Sequence, residues 1–235
     1  MKKSILITLI TLLTIGLNAQ SLIPIKYGIK VGLNISSLSI SRTDKGIDEG
    51  VELTDNSSQI GLAAGVCVHI PLSDRWFINP EVLYSQKGAS FDYDFSHDYE
   101  LNTIDYYSTT TQLTLSYVEL NPTISFKASD KLALNFGPSI SFLIGAEYIY
   151  SQDPTENPSN TNHMLNPELI EAATLDVGLN LGLSYFITEH FLADTRVCTG
   201  FMKAGEVTQP NETGDSDPAY TLKNRAIVLS LAYLF

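Results

Sequence analysis

Large apolar side chains recur at every second position along much of this chain. Tyr27, Ile29, Val31, Leu33 and Ile35 alternate with Gly28, Lys30, Gly32, Asn34 and Ser36. A period of two marks a strand whose two faces meet different surroundings. The pattern returns in seven further segments. Ile60 to Ile70 opposes Gly61, Ala63, Gly65, Cys67 and His69, and the segment from Trp76 to Phe91 opposes Trp76, Ile78, Val82 and Tyr84 to Asn79, Glu81, Ser85 and Lys87. In the fourth, Val118 to Phe126 opposes Tyr117, Glu119, Asn121, Ser125 and Lys127; in the fifth, Leu132 to Ile144 opposes Ala133, Asn135, Ser141 and Glu147. The last three run from Leu175 to Tyr185, from Phe191 to Phe201 and from Ala226 to Phe235. Two features break the pattern. Leu113 and Leu115 fall on the polar side, which a bulge near Ser116 or a rim beyond the membrane would explain. Pro80, Pro122 and Pro138 stand in strand interiors, where each removes a ladder hydrogen bond and calls for a bulge or a rim position.

The connections alternate. Short turns lie at 71–75, 128–131 and 188–190, and long polar segments at 41–57, 92–111, 150–173 and 203–223. Segments of that length are unusual in a compact soluble domain, whereas short turns at one end and long loops at the other are the habit of a membrane barrel. Side-chain volume sets which face is inside. An eight-stranded barrel has an interior just wide enough for side chains to fill it, so the Gly, Ala, Ser and Asn face fits within and the bulky face meets lipid. Unpaired edges are forbidden there, and the sheet must close. The expectation is an all-β fold: an eight-stranded antiparallel up-and-down transmembrane β-barrel with short periplasmic turns and four long extracellular loops.

Charge sharpens the assignment. The chain has 14 basic and 26 acidic residues, an excess that argues against a nucleic-acid partner. The acidic excess lies in the long loops, leaving strands and short turns balanced. On the inferred inner face Lys26, Lys30, Lys87, Lys127 and Arg196 stand against Glu81, Glu119, Glu147, Asp176 and Asp194. Buried charges must be paired and hydrogen-bonded. We therefore expect a structural ion-pair network in the lumen, carried by Lys30, Glu81, Lys87, Glu119, Lys127, Asp176, Asp194 and Arg196.

The start, Met1-Lys2-Lys3 followed by an apolar run to Leu17 and then Asn18-Ala19, has the form of a secretory signal peptide cut after Ala19; the barrel domain would occupy 20–235. Cys67 and Cys198 are too few for a disulfide framework and read as small buried side chains. Tyr233 and the terminal Phe235 have the character of a signal read by barrel-assembly machinery.

Four stretches, in order, resemble the PorT-like outer-membrane β-barrel domain of Gram-negative bacteria. Gly28-Ile-Lys30-Val-Gly32-Leu-Asn34-Ile-Ser36 is similar to its first strand, G-x-K-x-G-x-N-x-S, and Tyr84-Ser-Gln-Lys87-Gly88 to the end of its third. Tyr117-Val-Glu119-Leu-Asn121-Pro122 resembles Y-[LIV]-E-[LIV]-P with Asn121 inserted. Asp194-Thr-Arg196-Val-Cys-Thr-Gly200 resembles D-x-R-Y-x-x-G with Val197 in place of Tyr. The resemblance implies an outer-membrane location and, through the family's name-giving member, an association with protein secretion; it brings no catalytic residues.

Candidate chemistry is sparse. His69 reads as a lumen hydrogen-bonder and His190 as a solvated turn residue. His97, beside Asp94, Asp98 and Glu100, is the best candidate for a loop-borne active site, although an acidic, aromatic loop is the simpler reading. No phosphate-binding loop, metal-ligand spacing or nucleophile elbow is present. Trp76, Tyr84, Tyr185 and Tyr233 suit an interfacial aromatic girdle, and Arg225 suits a headgroup contact. The expectation is a non-enzymatic scaffold in contact with outer-membrane lipid, the assembly machinery and secretion-system or surface proteins, without cofactor or metal. The alternatives are a barrel enzyme using His97 and Asp98, or a narrow pore.

Overall fold

The computed structural model describes residues 25–42, 55–99, 103–152, 170–210 and 216–235; the leader expected at 1–19 lies outside them. The strands are β1 Lys26–Arg42, β2 Asp55–Pro71, β3 Trp76–Tyr99, β4 Thr103–Lys127, β5 Leu132–Gln152, β6 Ile170–Ala172, β7 Leu175–Phe186, β8 Phe191–Gly200, β9 Gly205–Pro210 and β10 Ser216–Leu234. Every pairing is antiparallel, and β1 closes onto β10 from Gly28↔Leu234 to Arg42↔Tyr220. β8 and β9 both pair with β10, at successive levels, and β6 pairs with β9 just beyond β7. The wall is therefore a closed eight-stranded barrel in which two strands are interrupted near one end.

Three short turns close one end, and they share a construction. Leu72-Ser-Asp-Arg75, Ala128-Ser-Asp-Lys131 and Ile187-Thr-Glu-His190 each hold a hydroxyl residue second. Ser73 Oγ accepts from the backbone N–H of Trp76, Ser129 Oγ from that of Leu132 and Thr188 Oγ1 from that of Phe191, at 3.0–3.2 Å. In each, the first two backbone N–H groups donate to the carbonyl of the residue that restarts the strand. The hydroxyls occupy donors that the turn would otherwise leave bare.

Within the wall the volume argument holds. Leu181 is 61% exposed on the outside while neighbouring Asn180 is 2% exposed within. Outward apolar residues run from Tyr27 to Ile35 on β1 and from Ile227 to Phe235 on β10, about the length of strand that spans a bilayer.

Towards the loop end the polarity of the two faces swaps while the alternation continues. Ser37 and Ser39, Thr114 and Ser116, Lys223 and Arg225 come to lie outside. Leu38, Ala89, Phe91, Leu113, Leu115, Tyr117, Ala204, Tyr220 and Leu222 form a buried apolar cluster inside. Leu113 and Leu115 are thus in phase with Tyr117 and Glu119, all buried: beyond the apolar belt the barrel continues as a water-facing barrel with an apolar core. The irregularity at Ser116 is real, but its extra residue is on β5. Ser116 pairs with Gly145 and Tyr117 with Leu143, which leaves Ile144 over. That shift turns Glu147, expected within, to the exposed surface.

The prolines sit neither at bulges nor at a rim. Pro80 pairs with Pro122, and the register from Leu120↔Ile140 to Ile124↔Phe136 sets Pro122 level with Pro138. The three form one transverse row in mid-wall. Ladder pairing lapses where their missing N–H groups would fall, between Cys67↔Glu81 and Ile70↔Ile78 on one side and around Pro122 and Pro138 on the other. Stacking the prolines confines the lost bonds to two places.

The segment 92–111, expected as a loop, is mostly ladder: β3 and β4 stay paired as far as Tyr99↔Thr103. Its Tyr, Phe and Thr content favours strand in spite of its polarity. At about 3.3 Å per residue and a tilt of about 40°, this ribbon rises roughly 30 Å above the level of Gln86 and Ser116.

Candidate functional site

The lumen gathers all four stretches quoted above. Lys30, Asn34 and Ser36 point inward from β1 and reach across β2 to β3. Lys30 Nζ donates to Glu81 Oε1 at 2.6 Å, Asn34 Nδ2 to Ser85 Oγ and the Gln86 carbonyl at 2.8 Å, and Ser36 Oγ to the Gly88 carbonyl at 3.1 Å while accepting from the Gly88 N–H at 2.9 Å. The crossing requires a low floor. β2 supplies it with Gly61, where a Cβ would stand 2.3 Å from the Gln86 carbonyl oxygen, and with Ala63 and Gly65. The polar positions of the first-strand pattern are thus the rungs that tie β1 to a strand two places away.

Two charged groups result. In the one nearer the turn end, Lys30 bridges Glu81 and Asp194. Arg196 Nη2 donates to Glu81 Oε2 at 2.7 Å, Glu81 Oε1 at 3.0 Å and Asp194 Oδ2 at 3.2 Å. Ser184 Oγ and Asn135 Nδ2 complete the shell of Asp194 at 2.9 and 3.1 Å. All four charged side chains are at most 6% exposed, and their charges balance. In the second group Lys87 Nζ meets Glu119 Oε1 at 2.5 Å and lies 5.7 Å from the centre of the Tyr117 ring, a cation–π contact. Asn224 Nδ2 donates to Tyr117 Oη at 3.1 Å and Asp176 Oδ2 at 2.9 Å. Asn180 joins through Asn121, which leans on Glu119.

Seven of the eight expected network residues are therefore buried in these two groups, six of them in ion pairs and Asp176 through Asn224. Lys127 stands apart, half-buried at the turn end, with no ion pair among the described residues. Lys26, also at that end, donates to the Glu189 carbonyl.

Apolar seals bracket the charged middle. Above lies the Leu113–Leu115–Phe91 cluster. Below, Cys67, Leu192, Ala232 and Leu234 pack with Phe186, and the His69 ring lies 4.4 Å from that of Phe77 with its Nδ1 3.0 Å from Asn79 Oδ1. Cys67 and Cys198 are both buried and unpaired. His190 is exposed in its turn, as expected, and is also engaged: its Nδ1 lies 2.8 Å from the Leu234 carbonyl and its ring stacks on Tyr233. Tyr233 also meets Phe191 and Phe235 edge-on, and the Phe235 N–H reaches the Tyr27 carbonyl at 2.7 Å. Trp76, Tyr84 and Tyr185 face outward as a girdle would. Tyr84 Oη is 3.1 Å from Ser116 Oγ, at the level where the outer face turns polar.

On the β3–β4 ribbon the register pairs His97 with Asp105 and Asp98 with Ile104. His97 and Asp98 thus hold successive positions of a strand, which alternate between faces; their side chains lie outside the described residues. Among the described residues no group of His, Cys, Asp or Glu is disposed to hold a metal ion.

A family model described as the outer membrane protein beta-barrel domain matches residues 18–205. Three solved structures illustrate the fold-level likeness. Neisserial surface protein A is 12% identical with a TM-score of 0.44, over 89% of this chain and 97% of that one. OprG from Pseudomonas aeruginosa is 12% identical at 0.41, over 89% and 95%. Ail of Yersinia pestis is 9% identical at 0.36, over 89% and 98%. No curated protein matches the chain.

Proposed function

Because the chain belongs to the outer membrane protein beta-barrel domain family, we propose that it is a sealed, non-enzymatic scaffold of the cell outer membrane whose working surface is the wall above the bilayer. The observation that carries this reading is the layered lumen: two charged groups, each paired within itself, between apolar seals above and below. Such an interior supports neither conduction nor access to a substrate. What remains for recognition is the extracellular extension. Its tallest part among the described residues, the β3–β4 ribbon, carries Asp92, Asp94, Asp98 and Asp105, and the sequence has no Lys or Arg between Lys87 and Lys127. A protein partner with a basic face suits it.

The motif stretches that resemble PorT-like barrels support a finer reading, in which that partner belongs to protein secretion or to surface-protein display. The test replaces residues 93–108 by a two-residue turn and compares proteins crosslinked on intact cells. The shortened barrel should keep its heat-modifiable gel migration and lose its crosslinked partners. An unchanged set of partners would refute the ribbon as the recognition surface.

A further inference from the structure

The outer wall is not uniform above and below its rim. Among residues whose side chains are described, the cations on the outer face at the loop end are Lys203, Lys223 and Arg225, all in the sector of β8, β9 and β10. Lys203 is paired with Glu206 at 2.9 Å. Lys223 and Arg225 are exposed, opposite Ser39 and Ser37 of β1, with Thr199 of β8 on the other side of Arg225. Directly beneath Arg225 the belt begins at Ile227. Their charges therefore stand at headgroup level, with hydroxyls on both flanks.

The same sector holds a groove of about 560 Å³ in the belt, its floor formed by Ala193 and Thr195 of β8 and its sides by Leu183 and Tyr185 of β7 and Leu229 and Leu231 of β10. Register joins the two features. Thr199 pairs with Arg225, Val197 with Ile227, Thr195 with Leu229 and Ala193 with Leu231, so the groove lies two outward positions below Arg225, past Val197 and Ile227, and extends across the strands to Leu132 of β5 on one side and Val31 of β1 on the other. Its surroundings at that depth are acyl chains, and the small side chains of Ala193 and Thr195 leave a hollow there between the larger residues of β7 and β10.

We propose that this face holds one lipid of the outer leaflet with a net anionic phosphate headgroup, its phosphate on Lys223 and Arg225 and an acyl chain in the furrow over Thr195. Arg presents a fork matched to phosphate oxygens, and Lys adds a point charge beside it. The site is separate from whatever binds the ribbon.

The experiment is native mass spectrometry of the folded full barrel released from micelles containing phosphatidylglycerol or phosphatidylcholine with the same chains. One phosphatidylglycerol should be retained in preference to phosphatidylcholine. At about fivefold per cation near a membrane surface, Lys223→Gln with Arg225→Gln should lower retention about thirtyfold. Thr195→Trp, which fills the furrow and spares both charges, should lower it too, and inorganic phosphate should not displace the lipid. Lys131→Gln, in a turn at the far end, should change nothing. Gel migration before and after heating verifies that each variant is folded. Equal retention of the two lipids, an unaffected double variant, an equal loss with Lys131→Gln, an unaffected Thr195→Trp, or displacement by phosphate alone would each overturn the proposal.

Discussion

Arg196→Ala removes one of the two cations that a pair of buried carboxylates share. In the folded barrel its Nη2 lies 2.7 Å from Glu81 and 3.2 Å from Asp194, with the side chain 6% exposed. Without it Lys30 alone faces both carboxylates, and a balanced group of four becomes one with a net negative charge sealed from water. Leaving a buried charge uncompensated costs about 3–5 kcal/mol, which at about 1.4 kcal/mol per decade moves the folding equilibrium by two to nearly four orders of magnitude. Urea unfolding of the barrel from lipid vesicles reads this directly, because Trp76 is the single tryptophan and stands on the outer face. A lower midpoint at an unchanged slope would be a change of stability and not of the unfolded state. The double variant Arg196→Met with Glu81→Leu separates charge from packing. Replacing a buried pair with apolar residues of similar volume is often neutral, and Lys30 keeps Asp194, so most of the loss should return. An Arg196→Ala barrel within about 0.5 kcal/mol of the parent, inside the range of an ordinary surface substitution, would refute the network's part in stability. A double variant as weak as the single one would assign the loss to packing.

Gly88→Ala places a Cβ 1.8 Å from the Leu113 carbonyl oxygen, whereas at Gly145 the nearest atom is Ser116 Cβ at 3.9 Å. The first should cost about 1–3 kcal/mol, as overpacking does, or prevent folding, and the second little; equal unfolding midpoints would show that the wall yields freely there. Deleting Phe235 removes its bond to Tyr27 and its contact with Tyr233 but leaves the β1–β10 ladder. The folded fraction in cells, read by gel migration, should fall while protein that does fold keeps its stability, and normal assembly would count against a terminal signal. In planar bilayers the parent protein should pass no measurable current, and discrete ion-current steps would contradict the sealed lumen.

Much of the architecture was legible because it depends on alternation and side-chain volume, both local properties. Period two marked the strands, and the crowding of large residues on one face required that face to be outside. The repeat Leu72-Ser-Asp-Arg75, Ala128-Ser-Asp-Lys131 and Ile187-Thr-Glu-His190 was also legible, yet its common hydroxyl role emerges only once the three turns are superposed in function by their hydrogen bonds. Polarity alone reads the segment 92–111 as loop, yet its aromatic and Thr residues and a paired neighbour make strand of it as far as Tyr99↔Thr103. Leu113 and Leu115 were ambiguous for a related reason: the alternation did not change phase, but the solvent outside the wall changed from lipid to water.

The composition of the inner face, with its nearly matched acids and bases, could be counted along the chain. Which base meets which acid could not. Lys30 and Asp194 are 164 residues apart, and they meet because β1 closes on β10 and β10 carries β8 beside it in one particular register. A single extra residue on β5, Ile144, was enough to send Glu147 to the surface. The alternation of residues determines that this chain makes a barrel and which face is lined with lipid. The register and its bulges, products of closing the whole sheet at once, decide which charges are paired, where the lumen is sealed and which sector of the wall bears both cations and a furrow.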